Sequence, residues 1–162
     1  MNTSNTNSGG WGSSQMRSKV LGSASSPTSP TANTLMAALP SDLRAVMKSC
    51  TKYTDNKGGS NTASNVSSTT DYLFLLSEYE VHGTRNYANS AEQNSQAQYD
   101  YFKAGNSKVA NKHSATGTAA VWWLRSPTYF TSYSSFCAVS SSGSLACYYA
   151  NYAYGVVPGF VV

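Results

Sequence analysis

The chain has 162 residues, 40% of them hydrophobic and 11% charged, with a formal charge of +4. That length suits one compact domain. Charged residues make up about a quarter of an ordinary soluble domain, so Ser, Thr, Asn and Tyr must solvate most of this surface, which excludes a coiled coil and a charged disordered tail.

No apolar run approaches the roughly 20 residues of a membrane-spanning helix. Met1 to Gly10 has neither a basic start nor an apolar stretch, so no signal peptide is read there. The excess of lysine and arginine does not form a patch: Lys48, Lys52, Lys57, Lys103, Lys108 and Lys112 stand singly among polar residues, so no nucleic-acid partner is expected. Every charged residue lies at or before Arg125, which sets the tail apart as its own compositional region.

In chain order, residues 1–34 read as a flexible or partly ordered segment, a truncated domain start, with one island in which Trp11, Met16 and Val20 share a helical side. Residues 35–125 read as scaffold. A helix opens at Pro40-Ser41-Asp42, with Ser41 as N-cap and Leu43, Val46 and Met47 as its apolar stripe. A strand over about Ser49 to Thr54 follows, and Gly58 to Thr70 reads as a loop. Tyr72 to Leu76 is an apolar run of strand length, and Ser77 with Glu80 has capping-box spacing for a helical turn from Glu78 to Val81. Asn89 to Phe102 reads as a helix ended by Gly105. Ala119 to Leu124 is the next buried element, and residues 156–162 close the domain as an apolar strand.

Residues 126–155 are the candidate ligand-binding region. Ser141-Ser142-Gly143 is a hairpin turn with Gly143 in the left-handed position, which sets Cys137 opposite Cys147 and Val139 opposite Leu145. Phe136, Ala138, Ala146 and Tyr148 then share the other face. Trp, Met, Lys, Glu and Gln are absent from this stretch, and Tyr and Ser dominate it. The absent residues are those that codons ending in a pyrimidine cannot encode, a pattern compatible with adenine-directed randomisation of asparagine codons. Tyr supplies rigid, amphipathic contact area and Ser adaptable hydrogen bonding, so such a segment can bind without charge.

Catalytic chemistry is not legible. Cys50, Cys137 and Cys147 have no CxxC spacing, so neither a metal site nor a cofactor is expected. Cys137 and Cys147 would join across the hairpin under oxidation, but buried free thiols are the expected state. His82 and His113 sit in no metal or triad pattern, Glu78 and Glu80 read as capping and surface groups, and Gly58-Gly59 lacks the lysine of a phosphate loop.

Gly9-Gly10-Trp11 with Met16-Arg17, Leu39-Pro40-Ser41-Asp42-Leu43-Arg44-Ala45-Val46, Thr51-Lys52-Tyr53-Thr54, Leu73-Phe74-Leu75-Leu76-Ser77-Glu78, Trp122-Trp123-Leu124-Arg125-Ser126-Pro127 and Gly155-Val156-Val157-Pro158-Gly159-Phe160-Val161 form an ordered set. Together they resemble a C-type-lectin-fold family related to formylglycine-generating enzymes. That family supplies variable target proteins of diversity-generating retroelements in gut bacteria and their phages.

The resemblance implies an α+β, C-type-lectin-like fold with mixed, mostly antiparallel strands and two or three short helices. It implies a non-enzymatic module that binds a protein or glycan on a cell surface, itself displayed on a virion or bacterial surface, with assembly into identical copies open. Trp122, Trp123, Arg125, Gly155, Pro158 and Phe160 match the scaffold. The implied variable positions are Tyr129, Phe130, Thr131, Ser132, Tyr133, Ala138, Ala146, Tyr148, Asn151, Ala153 and Tyr154. The alternatives are a copper-dependent formylglycine-type oxidase, a hydrolase using a cysteine, and a structural virion or surface subunit. The enzymatic relatives' cysteine pair does not align with Cys137 and Cys147, so activity is not carried over.

Overall fold

The computed structural model describes residues 1–130 and 134–162. Its first surprise lies at the N-terminus. Residues 1–34 do not hang free: Met1, Trp11, Met16 and Leu21 are all buried in the main core. Trp11, Met16 and Leu21 recur every five residues, and Met16–Leu21 is a π-helical turn, so this spacing stacks them on one side. Val20, expected on that side from α-helical spacing, is instead exposed. The Gly-Gly before Trp11 has a steric reason. Gly10 has φ +51°, and a Cβ there would lie 1.9 Å from the Asp55 carbonyl oxygen. Trp11 then donates its indole N–H to Asp71 at 2.9 Å inside the core.

Two short helices follow, α1 (Leu35–Ala38) and α2 (Ser41–Val46). Pro40, not Ser41, is the residue before the first turn of α2, and Val46 points to solvent while Met47 beyond the helix is buried. β1 (Cys50–Asp55) pairs antiparallel with β2 (Val66–Asp71), where the sequence suggested only a loop. The sequence Val-Ser-Ser-Thr-Thr-Asp lies on the surface over most of its length, so it has no apolar alternation to reveal it.

β3 (Leu73–Leu75) is wholly buried and pairs antiparallel with the closing strand. The capping box forms as expected at α3 (Glu78–His82): Ser77 Oγ accepts from the Glu80 N–H at 3.1 Å, and Glu80 accepts from the Ser77 N–H at 2.9 Å. The long helix expected over 89–102 is broken. A tight helical turn, Ser90–Ser95, begins at an Asn89 cap, and α4 (Asp100–Lys103) is separate. The intervening Gln96-Ala97-Gln98 has no apolar stripe to hold it against the core.

β4 (Ala110–Lys112) and β5 (Ala115–Ala120) form a largely exposed hairpin. β6 (Trp122–Pro127), β7 (Ser135–Val139) and β8 (Leu145–Tyr149) form a three-stranded antiparallel sheet in that order, and β9 (Pro158–Phe160) returns to β3. Every residue of β6 and β7 is buried. One side of this sheet sends Trp123, Phe136 and Ala138 into the main core with Trp11 and Phe74. The other sends Trp122, Leu124, Cys137 and Val139 into a second core with Val81.

The architecture is therefore mixed α and β with antiparallel strand pairs. It has more helical pieces than the expected two or three: four short α-helices, the π-helical turn and two tight turns among the described residues. No described helix is long and apolar enough to cross a membrane.

Candidate binding surface

The tail hairpin has the register that its turn residues predict. Cys137 pairs with Cys147, Ala138 with Ala146 and Val139 with Leu145. Gly143 takes φ +84°, and the turn closes through the Ser140 N–H on the Ser144 carbonyl at 2.8 Å. The two faces also divide as predicted. Phe136, Ala138 and Tyr148 pack on the main core, while Cys137, Val139 and Leu145 pack on the second.

That division corrects one site assignment. Ala138 is fully buried between β6 and β8, so it touches no external ligand. Ala146 is half-buried. Tyr148 and Tyr154 are also half-buried, and both pack on the main core, Tyr154 with its ring 5.3 Å from Trp123. Asn151 and Ala153 are exposed in the segment between β8 and β9. Tyr129 is half-buried and Phe130 is 48% exposed; Phe130 meets Tyr87 and Tyr129 edge-on at 5.4 Å each. Thr131, Ser132 and Tyr133 lie outside the described residues.

Two residues missing from the expected set join the surface. Tyr149 and Tyr152 are 49% and 45% exposed, and the Tyr152 ring stands 5.8 Å from Tyr149 and 5.9 Å from Tyr154. Tyr148 lies 4.8 Å from Tyr154 in an edge arrangement. Edge-on aromatic packing of this kind adds about 1 kcal/mol per pair beyond area burial. The outcome is a connected tyrosine cluster in which Tyr154 rests on Trp123, Tyr148 packs on the main core, and Tyr149 and Tyr152 face solvent. Beside it, Ala153 and Tyr154 line a cleft of about 720 Å³ together with Asn111, His113 and Ala120 of the exposed hairpin.

Among the scaffold positions, Trp122, Trp123 and Arg125 are fully or almost fully buried. Gly155 bridges to Trp122 in parallel, and a Cβ there would press on the Val121 carbonyl at 3.2 Å. Pro158 pairs with Leu75. Phe160 pairs with Leu73 through its backbone, yet the residue is 43% exposed.

Beneath the surface lies a buried charge network that sequence patterns did not reveal. Arg125 grips Glu80 with both terminal guanidinium nitrogens, Nη2 at 3.0 Å, and also donates through Nε to Thr54 Oγ1 at 2.8 Å and through Nη1 to the Leu75 carbonyl at 2.9 Å. Lys52 joins from the rim, 3.2 Å from Glu80 and 4.0 Å above the Phe74 ring. Burial pushes the Glu80 carboxyl up, but Arg125 and Lys52 outweigh burial and hold it below the usual range.

Glu78 and Glu80 read from sequence as capping and surface groups; Glu80 does cap α3, but both are buried. Glu78 accepts the backbone N–H groups of Asn86, Tyr87 and Ala88, pinning the chain that leads to Phe130's neighbour Tyr87. Glu92 accepts from the Asp55 N–H at 2.9 Å and from Ser126 Oγ at 2.6 Å. Burial raises its carboxyl to about 7, against the pull of those two donors. Glu92 sits in a polar Ser-Ala-Glu-Gln stretch with no periodic signal, so nothing in the sequence marked it.

The carboxylates in this network are engaged in structural contacts. Among the described residues no three His, Cys, Asp or Glu side chains come together as a metal site. Cys137 is fully buried, and burial together with Glu78 raises its thiol well above the ordinary value.

These features define a mixed α/β domain that carries an uncharged, tyrosine-rich surface over a core tied by buried charge. The chain belongs to the family described as Domain of unknown function (DUF6273), which it matches over residues 2–162. No curated protein and no solved structure matches it.

Proposed function

We propose that this protein is a non-enzymatic binding module of C-type-lectin-like architecture, which displays a diversified Tyr/Ser surface to a protein or glycan on a cell surface. One observation carries the reading. Tyr149 ends the outer strand of a sheet whose middle strand is completely buried, and Phe130 and Tyr152 stand on the connecting segments beside it, so the surface can change while its foundation stays fixed. Tyr149 and Tyr152 supply ring area and hydrogen-bonding hydroxyls at low entropic cost, and the absence of charge avoids a desolvation penalty on binding.

Cys137 is fully buried and its thiol is raised, which argues against its serving as an activated catalytic nucleophile for a substrate and favours the binding reading. The resemblance to retroelement target proteins fits the missing Trp, Met, Lys, Glu and Gln and supports reading the module as displayed on a virion or bacterial surface.

The test uses a Phe130→Ala, Tyr149→Ala, Tyr152→Ala triple variant. Labelled protein is applied to a glycan array and to a panel of intact gut-bacterial cells. Wild type should bind at least one target, and the variant should lose at least about tenfold in affinity with Tm changed by no more than roughly 2 °C. Undiminished binding by the variant, or loss of its fold, would overturn the reading.

A further inference from the structure

Cys137 and Cys147 face each other in the register of β7 and β8. Antiparallel pairs alternate between hydrogen-bonded and non-hydrogen-bonded sites. Ser140 bonds directly to its partner Ser144, and Ala150 to its partner Ser134, so both of these are hydrogen-bonded pairs. Counting inward from either end makes Cys137 and Cys147 a non-hydrogen-bonded pair, the closer of the two kinds. Cα atoms at such a site stand roughly 4.5 Å apart, within the 4.4–6.8 Å that a disulfide spans. Both side chains point to the same face of the sheet, toward the second core. Cys147 is half-buried and Cys137 fully buried, and both are thiols in this structure. The third cysteine, Cys50, lies on β1, where its Sγ approaches the Asp71 carbonyl at 3.5 Å.

We infer that Cys137 and Cys147 form a redox-active pair that a small-molecule disulfide converts into a cross-strand bond, stapling the hairpin beneath the tyrosine surface. The chemistry balances as two exchanges. The Cys147 sulfur, the more accessible one, gives up its proton to water and attacks the oxidant's S–S bond, releasing one thiolate. The Cys137 sulfur, after losing its own proton, then attacks Cys147 in the mixed disulfide and releases the second. Two protein thiols are oxidised and one external disulfide is reduced to two thiols.

Closing the bond removes the contact of the Cys137 thiol with Glu78, 3.5 Å away, while Glu78 keeps its backbone donors. Burial holds both thiols above their ordinary range, so closure is slow at neutral pH and accelerates as pH rises. Register matters because a one-residue slip would exchange the faces of Tyr148 and Tyr149, and the staple forbids that slip whichever side chains the surface carries. That this stiffens a binding surface rests on the function proposed above; formation of the bond does not.

The test removes the bystander thiol with Cys50→Ser and incubates the folded protein with oxidised glutathione. The expected product has lost both thiols and two hydrogens in mass, yields a Cys137–Cys147 linked peptide, and melts roughly 5 °C higher until dithiothreitol reverses it. Adding Cys137→Ser should instead leave a lasting glutathione adduct on Cys147. Two free thiols persisting in the folded protein, or a stalled glutathione adduct with both cysteines present, would overturn the inference. The covalent readout is independent of the triple tyrosine variant, so failure of the binding proposal and failure of this one are distinguishable.

Discussion

The side-chain amide of Asn7 donates to the backbone carbonyl of Ser135 at 2.8 Å, across 128 residues of sequence. The same amide reaches the Thr128 carbonyl at 3.1 Å, and the Thr128 N–H donates to Ser135 at 3.1 Å. An N-terminal side chain thus clasps both stems of the segment that carries Tyr129 and Phe130. Asn7→Ala removes two buried hydrogen bonds and should cost about 1–3 kcal/mol, read as a lower urea midpoint with an unchanged m-value. Faster exchange of the Thr128 amide would localise the effect to the stems.

Arg125 and Glu80 are expected to behave as one unit. Glu80→Ala leaves a buried guanidinium without its carboxylate and should destabilise the fold by roughly 3–5 kcal/mol. A double-mutant cycle with Arg125→Ala should show the two losses far from additive, because the double variant strands no charge. The folded-state carboxyl of Glu80 lies below its unfolded value, so its contribution is complete above the ordinary carboxylate range. It is lost as pH falls through the folded value, so acid melts of wild type should steepen below about pH 4.5.

Glu92 has the opposite sign. Its carboxyl rises from 4.5 to about 7 on folding, so the folded chain holds a proton that the unfolded chain gives up. That contribution is complete below pH 4.5 and disappears as pH rises to about 7, a swing of roughly 3 kcal/mol. Glu92→Gln keeps an acceptor for Asp55 and a polar partner for Ser126 without the proton. Relative to wild type, it should gain stability between pH 4.5 and pH 7.5. A constant difference across that range, measured by urea melts in matched ionic strength, would assign Glu92 an ordinary carboxyl.

Local chemistry made some of this legible in advance. The turn at Gly143 set the hairpin register, and Ser77 with Glu80 announced the cap of α3, because both depend on a few adjacent residues. β2 escaped because a solvent-facing Ser/Thr strand lacks alternation, and the break between Ser95 and Asp100 escaped because a weak apolar pattern still resembles a helix.

Ala138 shows the limit most clearly. Its face was predicted correctly, but that face meets the main core, a matter of what packs on the sheet and not of the strand itself. Burial of Glu92 and Asn7 is likewise decided by partners 34 to 128 residues away in sequence. The clasp by residues 1–34 was hidden for the same reason: polar, Ser-rich sequence looks mobile until its side chains are seen holding distant carbonyls.

The most direct test of the account is sequence variation among sister isolates of one lineage. The coding segment for residues 126–155 should differ between isolates only at codon positions that are adenine in a nearby near-repeat, which should lie beside a reverse-transcriptase gene. Changes should fall on exposed positions such as Phe130, Asn151 and Ala153 and spare Trp122, Trp123, Arg125 and the buried Ala138. Variation spread evenly over the whole chain, or a complete genome without the near-repeat, would contradict a surface diversified on a fixed scaffold.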